Sequence, residues 1–328
     1  MKNTWKIISV AVALCATCSV ASAADTPSWL KQPLKKPLSQ VRIGITQNNA
    51  GVDAYETTYE QSFKDYAKKL GIQAIVLDPQ GDPARQSNQI QDLTAQRVDV
   101  MIVWPTNAKA LVPAVCRAKR AGIPVVITNS RIDKAGRRCT IAFSGPDTTK
   151  EGRVAGRMMV QALNGKGNVV MINGTPGYAT AVNREEGFKE AVGKHKGIKI
   201  LDAQPADWNR AKAQSVMESF ITKYGEKIDG VFAADDNMGA GALNAIKSAG
   251  IPCGRIKITG ATNFAVGYDA IKAGCYYGSV VQSPVEDARN ALKMAVKVAE
   301  GQSVPKTSYI DTPSITKNNI DKHQRPVF

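Results

Sequence analysis

From residue 41 onward, short apolar runs alternate with longer segments of helical period, and this alternation limits the possible folds more than any other feature. Strands separated by helices of this length form parallel sheets with right-handed crossovers. The apolar runs predict strands over residues 41–45, 72–77, 98–103, 123–128, 139–143, 168–172, 198–204, 228–234, 256–260 and 278–282. The longer segments predict helices over residues 55–70, 83–96, 107–121, 148–163, 179–194, 210–224, 237–249, 265–273 and 285–300.

About ten strands are many for one sheet, and the alternation pauses near Ser144-Gly145-Pro146. We therefore predict an α/β fold with two doubly wound, parallel-sheet lobes. In open sheets of this kind, ligands bind just beyond the carboxyl ends of the strands. The residues at those ends consequently decide what the protein can bind.

The first residues carry the pattern of a secretory signal peptide. Lys2 and Lys6 flank an apolar run over residues 7–20, which is followed by Ala21-Ser22-Ala23. This pattern predicts cleavage after Ala23 and export to the periplasm. Residues 24–40 contain three prolines and are expected to form an extended arm. No later apolar run approaches the ~18 residues that a membrane span needs.

Four cysteines follow the predicted signal peptide. Oxidising compartments favour disulfides over metal or redox sites, and none of these four cysteines has the spacing CxxC. Because the members of each pair are close in sequence and within one half of the chain, we predict the disulfides Cys116–Cys139 and Cys253–Cys275. Four free buried thiols are the alternative.

The formal net charge is +15, which is compatible with binding to nucleic acid or to an anionic surface. The lysines and arginines are scattered, however, mostly one or two per predicted helix. We therefore expect a solvated basic surface and no nucleic-acid partner.

Polar and aromatic residues follow the predicted strands. The strand over residues 228–234 leads into Asp235-Asp236-Asn237, where we predict Asp236 as the helix N-cap and Asp235 as a ligand contact. Capping alone is the alternative for both acids, and a place in the core is the alternative for Trp104 and Trp208. The candidate ligand contacts are Asn48, Asp53, Tyr55, Trp104, Asn129, Arg131, Tyr178, Asn183, Arg184, Trp208, Asp235, Thr262, Asn263 and Gln282.

These residue types suit a polyhydroxylated ligand. Sugar hydroxyls donate and accept hydrogen bonds at once, so planar amides, carboxylates and guanidinium groups can each bridge two of them. Aromatic faces cover the C–H side of a sugar ring.

The same residues argue against catalysis. Only His195 and His323 could serve as a histidine base, and neither follows a predicted strand. After the predicted signal peptide, the motifs HExxH, CxxC and GxSxG are absent. Residues 44–51, after the first strand, lack both GxGxxG and the terminal Gly-Lys of a P-loop. We expect no enzymatic activity, no cofactor and no metal.

Six short segments are specific as an ordered set, although most are weak singly. They are LDPQGDPA at 77–84, AGIPVV at 121–126, REEGF at 184–188, QPADWNR at 204–210, VFAADDNM at 231–238 and VQSP at 281–284. Together they resemble the periplasmic ribose- and galactose-binding proteins, which are type I solute receptors of ABC importers. The resemblance covers nearly all of the chain from residue 41.

This resemblance implies two lobes joined by three crossovers, near Ser144, Gln282 and Tyr309, with a sugar held between the lobes. By position, Trp208 matches the aromatic residue that stacks on the sugar, and Asp235 matches a residue that bonds its hydroxyls. Gln282 matches a hinge glutamine, and Asn129 matches the residue that ends the fourth strand. The implied lobes comprise residues 41–144 with 283–309, and residues 145–282 with 310–328.

The chain departs from the family pattern at four places, which leaves the identity of the sugar open. Ser130 replaces a basic residue, with Arg131 one place later, and Thr262 beside Asn263 replaces an acid. Val52-Asp53-Ala54 replaces an aromatic pair, with Tyr55 as a substitute. The expected guanidinium is Arg184, or its place is taken by Val182 or Asn183.

The implied function is an exported, monomeric, non-enzymatic receptor that delivers a monosaccharide or related polyol to an ABC importer permease. A receptor for a non-sugar polar solute and a chemoreceptor-coupled sensor of the same fold are the alternatives.

Overall fold

The computed structural model describes residues 26–328, so the predicted signal peptide and its cleavage site lie outside the described residues. Strands β1–β12 span Arg42–Thr46, Gln73–Leu77, Val100–Val103, Val125–Thr128, Ala142–Gly145, Lys166–Asn173, Gly197–Pro205, Gly230–Ala233, Lys257–Thr259, Gly278–Val280, Thr307–Tyr309 and Ser314–Thr316. Helices α1–α9 span Ala54–Leu70, Pro83–Ala95, Val112–Arg120, Thr148–Ala162, Ala179–Val192, Arg210–Tyr224, Asp236–Ser248, Ala265–Lys272 and Pro284–Ala299.

These strands form two six-stranded sheets. Their orders are β11-β5-β4-β3-β1-β2 and β12-β10-β9-β8-β6-β7. We call the units built on them the first lobe and the second lobe. Pairing between the named strands is parallel except where β12 runs antiparallel to β10. The predicted α/β fold of two doubly wound lobes is confirmed, and within residues 26–328 β12 is the one antiparallel strand.

The chain passes between the sheets at three places. The first follows β5, the second follows β10, and the third lies between β11 and β12. After the second passage, α9 packs against α1 and against strands β3, β4 and β5 of the first lobe. The segment after α9, which had little pattern in the sequence, thus supplies one edge strand to each sheet.

One predicted helix begins later than expected. Helix α3 starts at Val112 instead of residue 107, because the Asn107 carboxamide accepts hydrogen bonds from the backbone N–H groups of Lys109 and Ala110. Such a bonding pattern holds a turn in place of a helix.

The expected N-terminal arm is tied to the first lobe over its described residues. Leu30 is buried in the hydrophobic cluster that α1 and α9 share. The backbone N–H of Lys35 donates to Glu300 at 2.6 Å, and the backbone of Lys31 exchanges hydrogen bonds with the Gln302 side chain.

Both predicted disulfides are confirmed. Cys116 at α3 bonds Cys139 in the first lobe, and Cys253 bonds Cys275 in the second. Each bond therefore constrains one lobe and leaves movement between the lobes free.

Candidate ligand-binding site

A cavity with about 460 Å3 of empty space, part of it open to solvent, lies between the carboxyl ends of the two sheets. Eleven of the fourteen candidate contacts line it: Asn48, Asp53, Tyr55, Trp104, Asn129, Tyr178, Arg184, Trp208, Asp235, Thr262 and Gln282.

The three other candidates lie outside this lining. The guanidinium of Arg131 is 4.1 Å from the centre of the Phe143 ring, towards the outer edge of the first sheet. Asn183 donates to the Thr148 hydroxyl at 3.0 Å and so faces α4. Asn263 is buried beside the cavity without lining it.

An aromatic wall closes one side of the cavity. The indole of Trp208 rests on the backbone of Gly174, where an added Cβ would lie 2.1 Å from its Cζ2. The Tyr178 ring stands edge-on to Trp208, with ring centres 5.9 Å apart. Trp104 Nε1 donates to the Tyr178 hydroxyl at 2.7 Å, which joins the first lobe to the second.

Arg184 on α5 is the centre of a buried polar cluster. Its Nε donates to the Glu151 carboxylate at 2.8 Å, and the two side chains are 3% and 0% exposed. Its Nη1 donates to the Ala234 carbonyl and the Thr262 hydroxyl, and its Nη2 donates to Gln282 Oε1 at 2.5 Å. Because a guanidinium has five N–H donors, this pattern leaves one N–H of Nη2 for a ligand.

Tyr55 continues this cluster into the first lobe. Its hydroxyl accepts from Gln282 Nε2 at 2.6 Å and donates to Asp287 at 3.0 Å. Asn129 donates to the same Asp287 oxygen at 2.7 Å. Burial raises the pKa of Asp287 to about 7. A continuous chain of hydrogen bonds therefore runs from Arg184 through the Gln282 crossover to the first lobe.

The two acids after β8 differ in role, and one of them departs from the prediction. Asp235 is the N-cap of α7, and its Oδ1 accepts from Met238 N at 2.7 Å. Asp236, predicted as the cap, is instead the first helical residue: its backbone N–H bonds the Ala261 carbonyl, and its side chain points inward to the Ser279 hydroxyl. The prediction for Asp236 was therefore wrong.

The second oxygen of Asp235 is available to the cavity, since the cap uses only the first. Burial raises the pKa of Asp235 to about 7, and the charge of Asp53 in the first lobe adds to the rise. Asp53 caps α1 by accepting from Glu56 N at 2.9 Å, and burial also raises its pKa. Carboxyl groups from both lobes therefore line the same space.

Several loops of the site are held in an unfavourable backbone conformation. Asn129, Trp208, Thr262 and Asn263 have φ values of 56°, 62°, 84° and 56°. Such a conformation costs about 1–3 kcal/mol for a residue other than glycine, and it is least expected for a β-branched threonine. The surrounding fold stabilises it at the strand ends, where the side chains of Asn129, Trp208 and Thr262 line the cavity.

Four lining residues were missed in the sequence: Val52, Glu56, Thr180 and Phe264. The spacing Asp53-x-x-Glu56 resembles a capping box and could have indicated Glu56. Its carboxylate accepts from Asn49 N at 2.9 Å, which orders the loop after β1. Phe264 belongs to the second lobe but packs into the first lobe's hydrophobic cluster, a contact that no local pattern reveals.

Within residues 26–328, no group of three or more His, Cys, Asp or Glu side chains is placed to hold a metal ion. The same residues include no helix that is both long and apolar enough to cross a membrane.

Comparison with known proteins agrees with this geometry. The family described as "Periplasmic binding protein domain" matches residues 43–303. The xylitol-binding protein of Mycolicibacterium smegmatis is 32% identical over 280 residues, which cover 85% of this chain and 78% of that protein. The galactofuranose-binding protein of Escherichia coli is 32% identical over 313 residues, which cover 93% and 96% of the two chains.

A solved structure gives the same result. The solute-binding protein of Bacillus halodurans with bound myo-inositol superposes with a TM-score of 0.80 at 26% identity, covering 86% of this chain and 96% of that one. The chain therefore belongs to the periplasmic binding protein family, as a type I member of the group that serves ABC importers.

Proposed function

We propose that this protein is an exported receptor that captures a neutral monosaccharide or related polyol between its lobes and delivers it to the permease of an ABC importer. The observation that carries the proposal is the inter-lobe cavity, where the Trp208 indole stands near the Asp235 carboxylate and the Arg184 guanidinium. An apolar face with convergent bidentate groups matches a ring that has C–H faces and a hydroxyl edge.

The relatives support the same class of ligand. Their names record xylitol, galactofuranose and myo-inositol, which are neutral and polyhydroxylated. The relatives are binding proteins, which supports a non-enzymatic role for this chain as well.

Closure of the lobes is the proposed mechanism. A ligand that bonds Asp235 in the second lobe and Asn48 in the first stabilises only the conformation in which both are near, so binding shifts the population towards the closed form. The Trp104–Tyr178 and Tyr55–Gln282 hydrogen bonds form in that closed form. The permease would then recognise the closed form.

Calorimetric titration with xylitol, myo-inositol, D-ribose and D-galactose tests the proposal. We expect one of them to bind the wild type with micromolar affinity or tighter. Trp208→Ala and Asp235→Ala should each weaken that binding by about a hundredfold or more, because each removes a contact that the ligand makes on closing. Glu190→Ala, which removes an exposed ion pair with Arg153, is the control and should bind normally.

Two outcomes contradict the proposal. If none of the four compounds nor any related polyol binds, the proposed function is wrong. If both cavity variants bind as the wild type does, the site is wrong.

The oligomeric state, the cleavage site and the recipient of the closed form need separate tests. We infer a monomer whose mature chain begins at Ala24, to be checked by sedimentation and by the mass of the exported protein. A chemoreceptor is the alternative recipient of the closed form. Loss of uptake on deletion of the receptor supports the importer, and loss of chemotaxis alone supports the chemoreceptor.

A further inference from the structure

The last residues of the sequence form a strap along the second lobe. Residues 320–328, which we call the terminal strap, follow β12 and run beside α8. Ile320 is buried in the second lobe's core. The Tyr268 hydroxyl donates to the His323 carbonyl at 3.0 Å, and Arg325 makes two hydrogen bonds of 2.8 Å to the Asp269 carboxylate. The terminal strap is therefore anchored to the second lobe.

The end of the terminal strap reaches the first lobe. The carbonyl of Phe328 accepts from Ala265 N, the first residue of α8, at 2.6 Å. The Phe328 ring meets Phe264 edge-to-face with ring centres 5.8 Å apart, and it meets Tyr55 in the same way at 6.1 Å. Phe264 belongs to the second lobe and Tyr55 to the first, and both line the cavity.

Tyr55 is the residue through which a change at Phe328 would act on the site. Its hydroxyl joins Gln282 to Asp287, and its ring also packs edge-on against Trp104 at 6.1 Å. The Phe328 ring, held to the second lobe by the terminal strap, thus packs against Tyr55 of the first lobe. Opening the cleft has to separate Phe328 from Tyr55, whereas the contacts between Phe328 and Phe264 lie within one lobe.

We propose that Phe328 is a positioning residue that latches the closed cleft, by packing against Tyr55 across the lobes while the terminal strap holds it to α8. The inference rests on the proposed function, because a latch on closure matters only if closure retains a ligand. By this inference the terminal strap helps to retain the ligand, in addition to the residues that line the cavity.

The latch makes a kinetic prediction. An interaction present only in the closed form slows opening, so its loss accelerates ligand release. Ligand entry takes place in the open form and is unaffected. An edge-to-face aromatic pair with its buried area stabilises by an amount that corresponds to about tenfold in a rate. A residue that merely fills space would instead lower the unfolding temperature of the ligand-free protein and leave the dissociation rate unchanged.

Stopped-flow tryptophan fluorescence measures both rates, with whichever of xylitol, myo-inositol, D-ribose or D-galactose binds the wild type. For Phe328→Ala we expect dissociation about tenfold faster and association within about twofold of the wild type. Because the Phe328–Phe264 contact lies within the second lobe, the unfolding temperature without the polyol should fall as well, and the dissociation rate decides between the roles. Phe328→Leu keeps apolar contact but not the ring and should give an intermediate dissociation rate. Val327→Ala, at a side chain that is 90% exposed, is the matched control.

The results that would overturn the latch alone differ from the result that would overturn the proposed function as well. An unchanged dissociation rate in Phe328→Ala overturns the latch and leaves the proposed function standing. An affinity loss that comes wholly from slower association also overturns it. A wild type that binds no polyol overturns the proposed function and the latch together.

Discussion

Replacement of Gly174 by alanine tests whether the position of the Trp208 ring determines affinity. An added Cβ would lie 2.1 Å from Cζ2 and 2.4 Å from Cε2 of the indole. These atoms belong to a rigid ring, so the side chain cannot relieve the contact by bending its end. The ring has to retreat by about 1.3 Å to reach the 3.4 Å of an ordinary contact.

The expected cost has two parts. Overpacking of this kind costs about 1–3 kcal/mol of folding stability, and a lost stacking contact costs about 0.5–1.5 kcal/mol of binding free energy. We therefore expect Gly174→Ala to weaken polyol affinity by about 1 kcal/mol, or about fivefold in Kd. Every polar group of the site is retained, so the loss would come from the ring alone.

Isothermal titration with the polyol that binds the wild type measures this loss, and Gly230→Ala is its control. There the added Cβ would lie 2.5 Å from Sδ of Met159, a core residue of the same lobe that does not line the cavity. Gly230→Ala should therefore lower stability and leave Kd unchanged. Equal affinities for the wild type and Gly174→Ala would refute the role assigned to Trp208.

Three further predictions concern buried charge and covalent constraint. The Asp235 carboxyl keeps its proton up to about pH 7 in the folded, ligand-free chain but only to its ordinary pKa of 3.8 when unfolded, so its contribution to stability falls as pH rises between these values. As pH rises from 4 to 8, the free energy of unfolding of Asp235→Asn should therefore gain up to about 4 kcal/mol relative to that of the wild type, as measured by urea denaturation. A difference between the two proteins that does not change with pH would contradict the raised pKa of Asp235. Arg184→Met leaves Glu151 buried without its partner and should lower the free energy of unfolding by about 3–5 kcal/mol. Adding Glu151→Gln should recover much of this loss, and a loss below about 1 kcal/mol would contradict the ion pair's structural role. Reduction of the Cys253–Cys275 bond should cost about 2–4 kcal/mol of stability in denaturation without changing Kd, and a changed Kd would place this bond in the closure mechanism.

The fold followed from the sequence because its signals are local. The apolar run before Asp235 and the helix after it recur in each unit of the chain, and parallel topology follows from their alternation. Strand ends could be placed within a few residues, so Trp208, Asp235 and Gln282 were correctly expected beside the cavity. Their contact with a ligand stays a prediction.

The contacts between the lobes could not be predicted from local sequence patterns. Phe328 packs against Tyr55, and Phe264 packs against Phe328, because distant parts of the chain meet between the lobes. Neither phenylalanine has a periodic neighbour that signals the contact. The orientation of the Arg131 side chain could not be predicted from the sequence either, since a cation–π contact with Phe143 turns it away from the cavity.

In the loop after β8, the sequence did not decide which of two adjacent acids caps the helix. Asp235 and Asp236 are both good N-caps, and the choice between them depends on the hydrogen bond from Asp236 N to the Ala261 carbonyl of the neighbouring loop. A tertiary contact of that kind decides which acid faces the cavity.

A crystal structure of the protein with its bound polyol is the decisive test of capture between the lobes. We predict a closed cleft in which the ring of the ligand lies on the Trp208 indole and its hydroxyls bond Asp235 and Arg184 of the second lobe and Asn48 of the first. A ligand held by one lobe alone, or bound outside the space between Trp208 and Asn48, would contradict it.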